Sequence, residues 1–308
     1  MPELTVGDQR WHVPAGTSLL EALNRQGVKV PSSCRAGHCH TCRVRCVTGA
    51  PADQRSHALP ATEYAQGWRL ACQCQVITDL EVVPYNASRD GVEATVSDLH
   101  WLSPQVLRIR LMPTRPLRYQ AGQHVVVWAR SDVARPYSLA SVPGASPWLE
   151  LQVQCGRPGV FVELARQFRV GDHVRLGEVL GGPLHYDPAW EARPLWLLAS
   201  GTGLAPLWAV LGEALRQGHT GPIRLVHLAA PGEHYLEGEL RALAAQHSNL
   251  ELDLRAPVAD LNDLRPGRHT MALVCGAPAL VEAIRKRLFL AGLPRGQLLT
   301  DTFEKRAG

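Results

Sequence analysis

Four cysteines near the N-terminus are spaced as ligands of an iron–sulfur centre. Cys34, Cys39 and Cys42 follow the pattern C-x4-C-x2-C, and Cys72 comes 30 residues later. Three thiolates on one loop and a fourth from a distant segment form the plant-type ligand set of a [2Fe–2S] cluster. Because such a cluster carries single electrons, the sequence predicts an electron-transfer centre in this part of the chain.

Other uses of these cysteines match the pattern less well. Zinc sites usually contain two C-x2-C pairs, which the x4 gap does not provide. A disulfide framework needs an oxidising compartment, whereas no secretory signal is expected from the first residues, and the protein is expected in the cytoplasm. His38 and His40 lie in the ligand loop and would be compatible with a Rieske-type site of two histidines and two cysteines. The four cysteines already complete a ligand set, so both histidines are expected to be exposed loop residues. Cys46, Cys74 and Cys155 are expected to be ordinary thiols, with Cys74 as the competing fourth ligand.

A second group of chemically useful side chains lies in the segment Arg135-Pro136-Tyr137-Ser138. Arginine, tyrosine and serine at alternating positions of a strand would point to one face. A guanidinium, an aromatic ring and a hydroxyl in a row suit an extended ligand with a phosphate at one end and a flat ring at the other. An ordinary strand with an exposed polar face is the alternative interpretation.

A glycine-rich loop, Gly201-Thr202-Gly203-Leu204-Ala205-Pro206, separates a strand-like run from a helical one. Two glycines would let the backbone approach a pyrophosphate, and Pro206 fits the first position of a helix. The positive end of that helix would then face the phosphates. The pattern G-x-G-x-x-P differs from the dinucleotide motif G-x-G-x-x-G, so the loop alone does not identify a ligand.

Length and composition exclude several functional classes. The chain has 308 residues, which suggests two or three domains. A formal net charge of +4 without a long basic run argues against nucleic acid as a partner. The uncharged stretch 194–212 is long enough to be considered a membrane span, but its glycines and prolines favour a strand, a turn and a helix. No membrane anchor is expected.

The elements that would position these residues fall into three regions. In residues 1–86, a hairpin and a helix over 19–26, capped by Thr17 or Ser18, precede the cysteine loop and predict a small ferredoxin-like α/β unit. Residues 84–91 have the composition of a linker.

The second and third regions differ in their periodicity. Short β-branched runs between glycines and prolines over 92–190 predict a small antiparallel barrel. From residue 191, apolar strands alternate with helical stretches, including 206–217 and 278–291. This pattern predicts a parallel sheet with helices on both faces.

Five motifs in order resemble one family. The cysteine loop, the Arg-Pro-Tyr-Ser segment, the glycine-rich loop, Cys275-Gly276-Ala277-Pro278 and Asp301-Thr302-Phe303 resemble those of the electron-transfer reductases of ring-hydroxylating dioxygenases, especially the naphthalene and benzoate types. The resemblance covers nearly the whole chain. It implies a β-grasp, plant-type ferredoxin domain (1–86), an FAD-binding antiparallel β-barrel (92–190) and an NAD(P)-binding parallel α/β domain (191–308).

The resemblance also implies roles for single residues. Arg135 would bind the FAD pyrophosphate, Tyr137 would pack along the flavin and ribityl chain, and Ser138 would lie near the flavin N5. Cys275 would lie near the nicotinamide ring and Phe303 would cover the isoalloxazine ring, so these two and Ser138 would act in catalysis. The other positions implied to contact FAD or the dinucleotide are Leu139, Gly159, Val160, Phe161, Val162, Gly201, Thr202, Gly203, Pro206 and Gly276.

Two positions need comparison with the family pattern. Segment 67–72 resembles the family's approach to its fourth cluster ligand, which favours Cys72 over Cys74. Val162 stands where the family has a serine or threonine that helps hold the flavin phosphates. Backbone N–H groups at the start of the following helix can still bind phosphate, so FAD binding is expected to be retained but weaker.

The implied activity is an NADH-dependent reductase. Hydride from NADH would reduce FAD, and single electrons would pass through the cluster to a Rieske-type ferredoxin or an oxygenase component. One alternative is a reductase that serves a diiron hydroxylase or a deoxysugar dehydratase. Another is a redox sensor with slow turnover. NADH is expected over NADPH because segment 230–235 lacks Lys and Arg and contains Glu233, although a protonated His234 could replace the missing cation.

Three arginines near the cluster loop predict how the acceptor protein docks. Arg35, Arg43 and Arg45 lie in or just after that loop. Charges at the rim of an interface act mainly on the association rate, so we expect the acceptor to approach through a basic face.

Overall fold

The computed structural model describes residues 1–257 and 261–303, and its strands form four sheets. The N-terminal elements are β1 (Glu3–Val6), β2 (Gln9–His12), β3 (Thr17–Ser18), α1 (Leu19–Arg25), β4 (Arg43–Thr48), β5 (Ala52–Asp53), α2 (Ala61–Ala65), β6 (Trp68–Leu70), β7 (Cys74–Val76) and β8 (Leu80–Pro84). They make a five-stranded sheet in the order β2-β1-β8-β4-β6 and a small sheet in the order β3-β7-β5. The predicted hairpin is confirmed, since Val6 pairs with Gln9 across its turn.

Helix α1 begins at the predicted residue and buries one apolar face. Leu19, Leu20 and Leu23 lie in the core of this region. The predicted side-chain cap is wrong, because Ser18 occupies the cap position without a capping hydrogen bond. The hydroxyl of Thr17 donates instead to the carbonyl of Pro14 (2.6 Å). The cysteine loop follows α1 and ends where β4 begins.

The segment expected to be a linker contains a short helix, α3 (Ala87–Asp90). The side chain of Asn86 caps it by accepting from the N–H groups of Ser88 and Arg89 (3.0 and 3.3 Å). Ala87 is buried in a small cluster with Trp128. The segment still connects the first region to the second, so its interpretation as a linker stays a prediction, although local composition did not indicate this cap and its packing.

The middle region is a curled antiparallel sheet. Its elements are β9 (Val92–Ser103), β10 (Val106–Pro113), β11 (His124–Arg130), β12 (Val133–Ser138), β13 (Leu149–Gln154), α4 (Val160–Ala165) and β14 (His173–Leu180), with strand order β12-β11-β14-β9-β10-β13. The antiparallel prediction is confirmed. Among the described residues, the end strands β12 and β13 do not pair with each other. They do approach each other, since the N–H of Ala140, just after β12, donates to the carbonyl of Glu150 in β13 (2.8 Å).

The C-terminal region is a parallel five-stranded sheet, as predicted. Its elements are β15 (Leu195–Ser200), α5 (Leu204–Arg216), β16 (Ile223–Leu228), α6 (Glu237–Gln246), β17 (Leu250–Arg255), β18 (Met271–Gly276), α7 (Pro278–Leu290) and β19 (Leu298–Thr302). The strand order is β17-β16-β15-β18-β19. Helices α5 and α6 pack on one face and α7 on the other. The order reverses between β15 and β18, and ligands of such sheets bind beyond the strand ends at this point.

The uncharged stretch 194–212 is divided as predicted between β15, a turn and the start of α5. Within the described ranges, no helix is long and apolar enough to cross a membrane. Pro206 is the third residue of α5, so its predicted placement at the first position is wrong. Proline is still compatible with this position, because the N–H groups in the first turn of a helix have no partner within the helix.

Candidate functional site

The cysteine loop surrounds its first sulfur with backbone donors. The N–H groups of Ala36, His38 and Cys39 point to the Sγ of Cys34 (3.3, 3.4 and 3.4 Å). A hydrogen bond from the neighbouring thiol of Cys39 lowers the pKa of Cys34, and the backbone donors lower it further, against the effect of burial. Such donors stabilise a thiolate, which is the form that binds metal.

The four predicted ligands fall into two pairs. Cys34 and Cys39 are in contact, with the N–H of Cys34 3.4 Å from the Sγ of Cys39. Cys42 and Cys72 share a side-chain hydrogen bond, and Gln73 Nε2 lies 3.4 Å from the Cys72 sulfur. Across residues 1–257 and 261–303, no three His, Cys, Asp or Glu side chains surround a single metal position. Two adjacent pairs of sulfurs match the four-cysteine ligand set of a [2Fe–2S] cluster.

The competing thiol lies elsewhere. Cys74 is the first residue of β7, is 1 % exposed and belongs to the apolar core of the N-terminal region. Burial raises the pKa of Cys74, so its thiol stays protonated. All eight cysteines of the chain are free.

Long-range contacts hold the backbone of the loop. Arg35 and Gly37 have positive φ values (51° and 78°), which fold the loop tightly. Gln73 Nε2 donates to the carbonyl of Arg35 (2.8 Å), and Arg55 donates to the carbonyl of Ala36 (2.5 Å). Because Gln73 follows Cys72, the same segment that carries the fourth sulfur also fixes the loop that carries the other three.

A cavity of about 540 Å³ lies where the three regions meet. It is lined by predicted site residues from each region, namely Cys34, Cys39, Arg135, Tyr137, Ser138, Thr202 and Phe303. One cluster pair therefore faces the same space as the Arg-Pro-Tyr-Ser segment and the glycine-rich loop. A cavity of this size, with a cation, an aromatic ring and a hydroxyl on its wall, fits an aromatic ligand that carries phosphate.

The Arg-Pro-Tyr-Ser segment forms part of β12, at one end of the curled sheet. Arg135 donates to the carbonyls of Ser32 (3.2 Å) and Ala134 (2.6 Å), so it also links the cysteine-loop region to the sheet. The ring of Tyr137 packs against Phe161 with centroids 4.9 Å apart. Burial raises the pKa of Tyr137, so its hydroxyl stays protonated. The segment therefore offers one fixed guanidinium and one fixed ring to the cavity.

The glycine-rich loop lies across the end of β18. A Cβ at Gly203 would come within 2.3 Å of the Cys275 carbonyl, and a Cβ at Gly276 within 2.5 Å of the Ser200 side chain. The N–H of Phe303 donates to the carbonyl of Gly276 (2.9 Å), which places Phe303 beside the same strand end. The loops after β15 and β18 thus meet at the reversal of strand order, where a dinucleotide site is expected.

Several predicted contact residues do not line this cavity. Leu139 is fully buried, and Cys275 is 1 % exposed within the core of the parallel sheet. Gly159 begins α4, whose Phe161 packs into the core of the curled sheet. The other predicted positions outside the cavity lining are Val160, Val162, Gly201, Gly203, Pro206 and Gly276.

The cavity also contains residues that the sequence did not point out as ligand contacts. His124, Gln152 and Asp301 line its wall. Burial lowers the pKa of His124 to about 4 and raises the pKa of Asp301. Asp301 belongs to the motif Asp301-Thr302-Phe303, although no role was predicted for it. In β13, Gln152 alternates with the core-facing Leu151 and Val153, and this polar face of the strand was the signal available for it.

Two expectations for the loop region are wrong. His40 is not exposed but lies against the curled sheet, in a small cavity with Trp128. Arg43 is 5 % exposed and cannot belong to a docking face. Its guanidinium pairs with Glu63 (2.9 Å) and with Glu178 of β14. Arg43 is buried and His40 half-buried, each between regions that are far apart in sequence. Arg35 and Arg45 are exposed, and their part in docking stays a prediction.

Comparisons with known proteins agree with this arrangement. Residues 4–76 match the family of 2Fe-2S iron-sulfur cluster binding domains. A solved structure of an Amycolatopsis cytochrome P450 reductase covers 98 % of this chain and 99 % of its own length, with a TM-score of 0.66 and 28 % identity. The ferredoxin reductase of a carbazole 1,9a-dioxygenase has a TM-score of 0.64 and 21 % identity, with 98 % of each chain covered. The predicted fold class, a ferredoxin domain followed by the two regions of a ferredoxin reductase, is confirmed.

Two curated relatives define the family. The reductase component of the naphthalene 1,2-dioxygenase/salicylate 5-hydroxylase systems of Ralstonia sp. is 30 % identical, with 98 % of each chain covered. The reductase subunit of an Amycolatopsis aromatic O-demethylase is 32 % identical, with 91 % and 92 % covered. Fold and site together define an iron–sulfur flavoprotein reductase that uses a [2Fe–2S] cluster, FAD and NAD(P)H. The chain belongs to the family of electron-transfer reductase components of ring-hydroxylating dioxygenase systems.

Proposed function

We propose that this protein takes a hydride from NADH in the central cavity and delivers single electrons through its [2Fe–2S] cluster to an oxygenase component or a Rieske-type ferredoxin. The observation that carries the proposal is the shared cavity, whose wall includes both Cys34 and Cys39 and the dinucleotide-side residues Thr202 and Phe303. In this arrangement, donor and acceptor groups would lie on opposite sides of one flavin site. Residues 1–86, 92–190 and 191–308 would be the cluster, FAD and NAD domains.

The bound groups supply the redox chemistry, with FAD accepting a two-electron hydride and the cluster accepting one electron at a time. The chain supplies positions. Cys34, Cys39, Cys42 and Cys72 would ligate the cluster, because their sulfurs form two adjacent pairs. The N–H groups that point to Cys34 would also stabilise the reduced state, which adds negative charge.

Arg135, Tyr137 and Ser138 would hold the flavin. The Arg135 guanidinium has donors in excess of its two carbonyl contacts and faces the cavity, where it can bind a pyrophosphate. Tyr137 would pack on the ring and ribityl chain, and the buried hydroxyl of Ser138 would reach the flavin N5. Val162 adds no hydroxyl at the start of α4, so phosphate binding there would depend on backbone N–H groups.

The nicotinamide dinucleotide would bind at the loops after β15 and β18, against Thr202 and Phe303. Because Gly203 has no Cβ, the loop backbone can lie directly against the Cys275 carbonyl, with Thr202 facing the cavity. Phe303 would cover the flavin ring until the nicotinamide enters, and Cys275 would support that position from within the sheet. The Cys275 side chain is 1 % exposed and does not line the cavity, so it would act through its neighbours.

NADH would be preferred over NADPH. Glu233, in the loop after β16, accepts a hydrogen bond from Gln105, which fixes a carboxylate in this loop. Burial lowers the pKa of His234, and its Nδ1 lies 3.2 Å from the Nδ1 of His227. The His234 ring is therefore neutral near pH 7 and offers no cation to the 2′-phosphate of NADPH.

Cytoplasmic location is part of the proposal, because eight free cysteines and an iron–sulfur site suit a reducing compartment. The experiment that tests the function compares two electron acceptors. With NADH as donor, the purified protein should reduce both ferricyanide and cytochrome c rapidly. A Cys72→Ser variant should keep the ferricyanide activity and lose most cytochrome c activity, because only the latter requires the cluster. The proposal would be contradicted if Cys72→Ser kept both activities. It would also be contradicted if the wild-type protein reduced both acceptors slowly.

A further inference from the structure

A buried histidine contacts the dinucleotide loop through one ring nitrogen. The Nε2 of His227 lies 3.1 Å from the carbonyl of Gly201, and a carbonyl only accepts, so Nε2 carries the proton. Burial lowers the pKa of His227 to about 4, which leaves the ring neutral and its Nδ1 free to accept from His234. His227 is 0 % exposed and is therefore fixed at both nitrogens.

Tyr235 continues this contact toward the cavity. Its ring packs edge-on against His227, with centroids 5.7 Å apart and an interplanar angle of 87°. Its hydroxyl donates to the Oε1 of Gln152 in β13 (2.8 Å). Tyr235 is 6 % and Gln152 4 % exposed, and Gln152 lines the cavity wall. One hydroxyl thus joins the parallel sheet to the curled sheet at the candidate active site.

The amide of Gln152 has a defined orientation. Its Nε2 donates to the carboxylate of Glu150 (3.3 Å), which in turn accepts from the Nε of Arg110 (3.1 Å). Because a carboxylate can accept only, the Gln152 oxygen must face Tyr235. Rotating the amide would leave buried polar groups without partners, which is costly. The wall of the cavity is therefore rigid where Tyr235 meets it.

We propose that Tyr235 is a positioning residue for hydride transfer, an inference that rests on the proposed function. Through Gln152 on one side and His227 on the other, it fixes the distance between the cavity wall and the loop Gly201–Gly203. Tyr235 is absent from the cavity lining and acts through its neighbours. The rate of hydride transfer is sensitive to this distance, since a misplacement of about 1 Å can reduce a rate by about 100-fold.

The test compares Tyr235→Phe with Tyr186→Phe. Tyr186 is also buried in the core of the C-terminal region, and its hydroxyl lies 3.1 Å from the Nδ1 of His219, away from the cavity lining. Anaerobic stopped-flow mixing with NADH would measure the rate of flavin bleaching. We expect Tyr235→Phe to be about tenfold slower or more, with FAD content and the dissociation constant of NADH within about twofold of wild type. Tyr186→Phe should match wild type.

Equal losses in the two variants, a rate within twofold of wild type, or a loss confined to NADH affinity would each overturn the inference. A double variant adds a second criterion. Gln152→Met should also slow bleaching, and Tyr235→Phe combined with Gln152→Met should be no slower than the slower single variant, because both remove one contact. Multiplied effects would show that the two residues act independently.

Hydrogen–deuterium exchange gives a readout that does not depend on turnover. In the FAD-loaded Tyr235→Phe protein, amides of 150–154 and 230–235 should exchange faster than in wild type. Unchanged exchange would overturn the inference. If the FAD-loaded wild-type protein is not reduced by NADH, the proposed function itself fails, and exchange still decides whether Tyr235 joins the two sheets.

Discussion

At the scale of single residues, the choice between two nearby thiols defines the cluster. Cys72 shares a hydrogen bond with Cys42 at the edge of the loop, whereas Cys74 lies in the apolar core. A fourth ligand must reach the others, so the pairing of Cys42 with Cys72 is the feature that distinguishes them.

Substitution of each thiol tests this assignment. Cys72→Ser should abolish the visible absorbance and the electron paramagnetic resonance signal of the reduced cluster, because one iron loses a ligand. Cys74→Ser should retain both signals, and its cost should be limited to stability, as expected for a small buried side chain. The opposite pattern would show that Cys74 is the ligand.

Cofactor preference also depends on single side chains. The ratio of kcat/KM for NADH to that for NADPH should exceed about tenfold in the wild-type protein, because segment 230–235 offers no Lys or Arg to the 2′-phosphate. Glu233→Arg should lower this ratio by supplying one. Glu239→Arg, the same charge reversal at an exposed position of α6, serves as the control. Equal use of both cofactors by the wild-type protein would refute the assignment.

At the scale of elements, the end of β16 contains a group with a pH-dependent contribution to stability. Burial lowers the pKa of His227 from 6.5 to about 4. Between these values the unfolded chain binds more protons than the folded protein, so the stability contributed by the neutral ring is complete above pH 6.5 and is lost as the pH falls toward 4.

A His227→Gln variant should therefore tolerate acid better. Glutamine can donate to the Gly201 carbonyl without titrating. On lowering the pH from 7.5 to 5, wild type should lose about 2 kcal/mol more of its free energy of unfolding than the variant, as measured by urea denaturation. His57→Gln, at an exposed position, should behave as wild type. Equal losses in wild type and His227→Gln would contradict the explanation.

The elements show which parts of the fold could be predicted from sequence. The cysteine loop and the β15–α5 unit are local patterns, so spacing and periodicity were sufficient for both. Helix α3 could not be predicted from composition, because the burial of Ala87 depends on its packing in one cluster with Trp128, which is distant in sequence. The sequence indicated only a motif at 301–303 and not strand β19, since the burial of this strand depends on its pairing with β18.

At the scale of the whole molecule, the contacts between regions were beyond sequence reasoning. Arg43 and Glu178 are 135 residues apart, and Tyr235 and Gln152 are 83 apart. No periodicity connects positions at such separations. An arginine beside a cluster loop therefore suggested docking to another protein, whereas in the structure it joins two parts of the same chain.

The Arg43 contact predicts how the cluster is held against the flavin cavity. Arg43→Leu leaves Glu63 and Glu178 without their cation and removes a side chain that is 6 % exposed, so the contact between the two regions weakens. Because Glu178 is 48 % exposed, solvent screens its charge and limits the cost in stability. We expect cytochrome c reduction to fall about tenfold or more, while ferricyanide reduction stays within about twofold. Cluster absorbance should be checked in the same sample, because Cys42 is adjacent.

Lys29→Ala is the matched control for this prediction. Lys29 also pairs across the two regions, with Asp132 at 3.3 Å, but its side chain is 75 % exposed. A surface pair contributes about 0–1 kcal/mol, so both activities should stay near wild type. An equal loss in Lys29→Ala, or an unchanged cytochrome c rate in Arg43→Leu with an intact cluster, would show that the buried contact does not set the electron path.

The most direct test of the central claim is an anaerobic titration of the FAD-loaded wild-type protein with NADH, followed by electron paramagnetic resonance. If the cavity joins the dinucleotide site to the cluster, NADH should bleach the flavin and produce the signal of a reduced [2Fe–2S] cluster, with one cluster reduced per chain. A bleached flavin with an oxidised, spectroscopically silent cluster would contradict the account.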